Sequence, residues 1–184
     1  MGKRLALVLG GARSGKSDFA QALALKRAGG DVLFVATAEA LDDEMRARIA
    51  LHRAARDLRW RTLEAPRRVA QALATAPHAK GVLIDCLTVW TSNILLASEP
   101  TAEQELAREL NDLFEWYQAS NTELIIVSNE VGMGLVPEYE LGRAYRDLLG
   151  TANQQVAANA DEVFWLCAGI PLELKARAVR LEEL

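Results

Sequence analysis

The chain has 184 residues, 51% of them hydrophobic and 25% charged, a balance that suits one well-buried globular core and excludes disordered and fibrous classes. Its 21 basic and 25 acidic residues leave a net charge of −4, and without a sustained basic block this argues against nucleic acid held by bulk electrostatics. No Pro/Gly/Ser-rich linker divides the chain, so a single domain is expected.

The first apolar run, Leu5–Leu9, leads into Gly10-Gly11-Ala12-Arg13-Ser14-Gly15-Lys16-Ser17 and then a helical stretch, Asp18 to Ala28. This is a complete G-x-x-x-x-G-K-S phosphate-binding loop in its strand-to-helix setting. Its glycines let backbone N–H groups turn in around phosphates, Lys16 brings a charge to the β and γ oxygens, and Ser17 offers a hydroxyl to Mg²⁺. A bound nucleoside triphosphate is expected. The five apolar residues ahead of the loop are too few for a signal peptide or a membrane span, so no span and a cytoplasmic location are expected.

Four more apolar runs read as strands: Asp31–Ala36, Gly81–Asp85, Glu123–Ser128 and Glu162–Cys167. Near-continuous hydrophobicity is what a parallel sheet covered on both faces requires. A shorter strand is read at Trp60–Ala65, with Pro66 at the first position of the following helix. Helices are predicted at Asp43–Arg56, Pro66–Ala74, Thr101–Ser120 and Glu138–Asn159, with another beginning near Thr88. Thr101 and Gln104 form a candidate capping box, and the helix behind them turns Leu106, Leu110, Leu113 and Trp116 inward and its charges to solvent. Cys86 and Cys167 are far apart in apolar runs and read as small core residues. The alternation of strands and helices gives an α/β fold.

Three further places carry candidate chemistry. His52 lies four residues from both Arg48 and Arg56, so one helical face sets an imidazole between two guanidinium groups, a setting that favours neutral imidazole and collects phosphate oxygens. From spacing alone a surface histidine among solvated arginines is the better fit. Asp85 ends the run Val82-Leu83-Ile84-Asp85, where a carboxylate can stand beside the Mg²⁺-bearing Ser17 or cap the next helix. Asn129-Glu130-Val131-Gly132-Met133-Gly134 follows a strand at its carboxyl end, where open α/β sheets bind ligands, and also fits a purely structural loop.

Taken together, the phosphate loop, Ala36-Thr37-Ala38, Leu41–Met45 with Arg48-Ile49 and His52, Trp60-Arg61-Thr62 with Glu64, Asp85-Cys86-Leu87-Thr88, and Asn129–Gly134 with Val136-Pro137 resemble one family. It is the bifunctional adenosylcobinamide kinase/adenosylcobinamide-phosphate guanylyltransferase family of cobalamin biosynthesis. The resemblance implies a P-loop NTPase-type three-layer α/β fold with a mostly parallel central sheet flanked by helices. The catalytic domain would occupy residues 1–175, leaving 176–184 as a short C-terminal extension. It implies phosphorylation of adenosylcobinamide with ATP or GTP. It then implies transfer of GMP from GTP to adenosylcobinamide-phosphate through a GMP–histidine intermediate at His52, giving adenosylcobinamide-GDP. Gly10, Gly11, Ala12, Arg13, Ser14, Gly15, Lys16, Ser17, Thr37, Ala38, Glu39, Arg53, Ala54, Ala55, Arg56, Glu64 and Asp85 would bind the nucleotide, with Mg²⁺ at Ser17 and Asp85. The family is typically a homotrimer. A single-activity small-molecule P-loop kinase and a nucleotide-driven switch are the competing readings.

Overall fold

The computed structural model describes residues 2–39 and 57–179. The predicted helix Asp43–Arg56, with His52, Arg53, Ala54, Ala55 and Arg56, lies outside the described residues.

Seven strands form one sheet: β1 (Leu5–Gly10), β2 (Val32–Ala36), β3 (Arg61–Glu64), β4 (Gly81–Asp85), β5 (Glu123–Asn129), β6 (Glu162–Cys167) and β7 (Ile170–Glu173), in the spatial order β3-β2-β4-β5-β1-β6-β7. All neighbours pair in parallel except β6 and β7, which form an antiparallel hairpin. Described helices are α1 (Lys16–Ala28), α2 (Val69–Thr75), α3 (Leu87–Ser98), α4 (Ala102–Ala119) and α5 (Glu140–Asn159).

The period-2 geometry of a strand divides each apolar run between two layers. Leu5, Leu7 and Leu9 join Val35, Ile84 and Ile126 in a core covered by α2, α3, α4 and α5. Ala6 and Val8 join Phe34, Leu83, Ile125 and Val127 on the other face, against Ala20, Ala24 and Ala28 of α1. The alanine stripe brings α1 close to the sheet. A Cβ on Gly81, at the start of β4, would stand 2.6 Å from the Cβ of Ala28, so this helix and strand approach at the limit that small residues permit.

The sequence misjudged several local details. Thr101 does cap α4 by position, but its hydroxyl donates to Ser98 O at 2.9 Å and makes no capping bond. Glu109 of α4 is not on the solvated face but buried, accepting hydrogen bonds from Trp90 Nε1 at 2.7 Å and Arg68 N at 2.6 Å. Burial pushes its carboxyl pKa up, and the Trp90 and Arg68 donors oppose that rise. α2 begins at Val69, after a left-handed Arg68, rather than at Pro66. Cys167 is exposed at the end of β6, not in the core, whereas Cys86 is half-buried.

Candidate active site

Every strand that carries a candidate residue ends on the same edge of the sheet, because parallel strands share one carboxyl end. Gly10 closes β1 and opens the phosphate loop, Ala36 of β2 precedes Thr37, Ala38 and Glu39, Glu64 closes β3, Asp85 closes β4 and Asn129 closes β5. The register pairs Ala36 with both Glu64 and Asp85, and Gly10 with Asn129. The described candidate residues therefore lie on one line of strand ends.

The backbone of the phosphate loop explains its glycines unequally. A Cβ on Gly10 would meet Ser14 Oγ at 2.4 Å and Leu166 O at 2.8 Å, so no side chain fits. Gly15 has φ +87°, a left-handed conformation that disfavours side chains, and a Cβ there would press on Gly169 Cα at 3.3 Å. Gly11 differs, since a Cβ there meets nothing within 4 Å. Packing does not require glycine at Gly11, which leaves open approach by a ligand as its physical use. Lys16 Nζ donates to Gly11 O at 3.1 Å, arching back over the loop, and Gly169 N donates to Ser14 O at 2.9 Å from the β6–β7 turn. Ser17 follows in the first turn of α1, where unpaired backbone N–H groups and the helix dipole favour anions.

Asp85 stands one strand away from the phosphate-loop strand, because β5 lies between β4 and β1. Its carboxylate and the Lys16 ammonium act on the same thiol. Burial, reinforced by Asp85, lifts Cys86 to a pKa of about 11, and Lys16 works in the opposite direction. Cys86 is thus a neutral thiol at neutral pH. It occupies the N-cap position of α3 and provides no side-chain cap.

Thr37 is fully buried, and its hydroxyl fastens the β2 end to the β4 end. Thr37 Oγ1 donates to Cys86 O and accepts from Cys86 N, both at 2.8 Å. Asn93 Nδ2 donates to Thr37 O at 2.8 Å and to Pro66 O at 3.0 Å, tying the same turn to α3 and to the strand β3 exit. Ala38 is half-buried, while Glu39 and Glu64 are exposed. A Thr37→Val substitution keeps the shape and strands two backbone groups of Cys86, so unfolding free energy should fall by about 1–3 kcal/mol. Urea denaturation checks this, and an unchanged midpoint at unchanged slope would contradict it.

Sequence reasoning singled out Asn129 only as part of a loop. In the fold its amide N–H donates to Thr88 Oγ1 at 2.8 Å, its carbonyl accepts from Asn153 Nδ2 at 3.1 Å, and Tyr145 Oη donates to Thr88 O at 3.2 Å. These bonds fix the end of β5 beside the phosphate loop, against α3 and α5. Only the polar run after an apolar strand hinted at this, because the partners are 24 and 41 residues away.

The comparisons with known proteins agree with this geometry. The chain resembles the RadB recombinase in fold, at TM-score 0.52 and 17% identity over 88% of this chain and 73% of that one. A second solved structure, an ATPase domain, matches at TM-score 0.50 over 89% of this chain and 69% of that one, at 14% identity. Likenesses at these identities support the P-loop NTPase-type α/β fold. In sequence the chain is 45% identical over 170 residues to the bifunctional adenosylcobalamin biosynthesis protein CobP of Pseudomonas aeruginosa, covering 92% of this chain and 96% of that protein. It is 41% identical to the bifunctional adenosylcobalamin biosynthesis protein CobU of Salmonella typhimurium, covering 92% of this chain and 98% of that one. Residues 6–174 match the family described as cobinamide kinase / cobinamide phosphate guanyltransferase, and the chain belongs to that family of bifunctional cobalamin-biosynthesis enzymes.

Proposed function

We propose that one phosphate grip, Gly10–Ser17, serves both reactions of this enzyme, holding the group that moves in one and the group that leaves in the other. The observation that supports this reading is the loop itself: Gly10–Ser17 runs from the end of β1 into α1 at the carboxyl edge, with Lys16 Nζ arched back to Gly11 O. In the kinase step the hydroxyl oxygen of the aminopropanol arm attacks the γ phosphorus of ATP or GTP. The bond from that phosphorus to the β–γ bridging oxygen breaks, a nucleoside diphosphate leaves, and the hydroxyl proton is released. Fixed backbone N–H groups and Lys16 stabilise charge on the β and γ oxygens as it develops.

In the second reaction a ring nitrogen of His52 attacks the α phosphorus of GTP. The bond from the α phosphorus to the α–β bridging oxygen breaks, and pyrophosphate leaves from the same cradle. A phosphate oxygen of adenosylcobinamide-phosphate then attacks the α phosphorus, the N–P bond breaks, and adenosylcobinamide-GDP forms with the imidazole restored. Covalent catalysis divides a difficult displacement between two anions into two easier ones. Arg53 and Arg56 are assigned to the phosphate oxygens near His52, with Ala54 and Ala55 between them, on the strength of the resemblance. His52 and this group lie outside the described residues.

The donor chemistry suits Mg²⁺: a Ser17 hydroxyl and an Asp85 carboxylate are hard oxygen ligands, and Mg²⁺ commonly completes its shell with phosphate and water rather than with an all-protein cage. When bound, the ion would neutralise charge on the β and γ phosphates. Ser17 would hold it from the phosphate loop and Asp85 from the β4 end.

Thr37, Ala38 and Glu39 would line the nucleotide beside Glu64, which is paired in register with Ala36 of the neighbouring strand. The Glu64 carboxylate is assigned to guanine N1–H and the N2 amine, a donor pair that adenine lacks. Glu64→Gln is expected to lower kcat/KM for GTP about 10–100-fold relative to ATP, in line with the loss of a charge-assisted bidentate contact. Competition kinetics with the two nucleotides measure this, and an unchanged GTP/ATP ratio would remove Glu64 from base selection.

The assembly is assigned as a homotrimer and the location as cytoplasmic, on the family resemblance. No helix among the described residues is long and apolar enough to cross a membrane.

A further inference from the structure

We infer that the loop between β5 and α5 is the surface on which the corrin ring of the acceptor rests, with the β6–β7 turn as its second wall. This deepens the reading above and rests on the acceptor being a cobinamide. Four apolar side chains stand bare within seven residues: Met133 is 80% exposed, Leu135 96%, Val136 62% and Tyr139 69%. Isolated exposed apolar residues need no explanation, but a cluster of this density marks a binding surface.

The loop is held at both ends. Glu130 N donates to Gly10 O at 3.4 Å, which joins its start to the phosphate loop, and Gly132 N donates to Glu130 Oε1 at 2.6 Å. At the far end Arg143 Nη1 donates to Pro137 O at 3.1 Å and to Glu138 O at 2.6 Å. A Cβ on Gly142 would strike the Tyr139 ring at 2.7 Å and Pro137 at 2.8 Å, so the chain is closely folded onto the start of α5. The anchored ends contrast with the uncovered apolar tips.

On the other side of β1 the turn after β6 does the same. Gly169 N donates to Ser14 O at 2.9 Å, and the next residue, Ile170, is 70% exposed. Strands β5 and β6 are the two neighbours of β1, so the exposed apolar side chains bracket the phosphate loop. The acceptor has matching chemistry: a broad macrocycle that offers methyl groups and ring edge between its amide arms, and whose hydroxyl-bearing arm must reach the γ phosphate. A cobalt(III) corrin with an adenosyl carbon ligand and no nucleotide phosphate is a net cation. Glu130 and Glu138 supply negative charge on the same loop and Glu140 at the first residue of α5, while the Arg143 guanidinium is turned onto backbone carbonyls. Met133 adds a side chain that adapts to irregular shapes.

The test uses the full chain and adenosylcobinamide itself as probe. In the double variant Met133→Ser with Leu135→Ser, equilibrium dialysis read by corrinoid absorbance should show the dissociation constant raised at least tenfold. GTP affinity should stay within twofold and the sedimentation mass should not change. Unaltered corrinoid affinity in the variant would overturn the assignment, and a smaller mass accompanying that result would give the loop to contacts between copies of the chain. Wild type that binds GTP but no corrinoid would overturn the functional reading itself, and this surface with it.

Discussion

His52→Ala is expected to abolish GMP transfer, by on the order of 10⁴-fold or more as for removal of a catalytic nucleophile, while phosphoryl transfer to adenosylcobinamide stays within a few-fold of wild type. The two reactions differ in which phosphorus is attacked. Attack at the γ phosphorus needs the acceptor hydroxyl and the phosphate cradle, and no protein nucleophile takes part. Attack at the α phosphorus, on the proposed route, would use an imidazole nitrogen that forms and later releases an N–P bond. A neutral imidazole is the nucleophilic form. Separate assays of the two activities on one preparation provide the measurement. Equal loss of both would mean that His52 acts on shared binding; retention of guanylyl transfer would remove it as nucleophile.

Lys16→Ala should have the opposite pattern, lowering both activities together by about 10²–10³-fold, the size of effect seen when one preorganised donor to a developing charge is removed. On the proposed grip the ammonium would serve the β and γ oxygens whichever bond breaks. In phosphoryl transfer those oxygens flank the moving group, and in guanylyl transfer they belong to the departing pyrophosphate. Lys16 Nζ also bonds to Gly11 O within the loop, so the substitution removes a loop contact as well as a charge. Lys16→Arg distinguishes the two effects: it retains the charge but not the compact point-like geometry, and only partial recovery is expected. Steady-state kinetics of both reactions, with GTP affinity measured directly, test the shared grip. Loss of one activity alone would show that the cradle is not common to them.

Local chemistry was legible in the sequence and long-range pairing was not. The phosphate loop could be read in full because eight contiguous residues, a preceding strand and a following helix suffice to specify it. The five long strands were legible because each is a near-continuous apolar run, which in β1, β2, β4 and β5 is buried on both faces. Glu109 was misplaced because an acidic residue on an amphipathic helix ordinarily faces water. What reverses that expectation is Trp90, 19 residues earlier, and the left-handed Arg68, which present two donors to it. Cys167 was misplaced by its apolar neighbours: alternation at the end of β6 turns it outward next to the β7 hairpin.

Thr37 shows the limit most clearly. The resemblance assigns it to the nucleotide, and its register at the β2 end agrees with that neighbourhood, yet its hydroxyl is spent on the Cys86 backbone. A spacing pattern identifies the neighbourhood of a residue, but the partner of its side chain depends on which strands lie side by side. The same holds for Asn129, whose contacts with Thr88 and Asn153 exist only because β5 ends between α3 and α5. Asp85 belongs to the legible class by type and to the illegible one by position, since the sheet order inserts β5 between it and the phosphate loop.

The most direct test of one grip serving two chemistries is to incubate the protein with GTP labelled at the α phosphorus, denature it, and measure label retained on the chain. The account predicts acid-labile, base-stable label on wild type, none on His52→Ala, and strongly reduced label on Lys16→Ala. His52→Ala should still phosphorylate adenosylcobinamide, and Lys16→Ala should do so about 10²–10³-fold more slowly. Label persisting in His52→Ala, or wild type taking up none while it phosphorylates the acceptor, would contradict it.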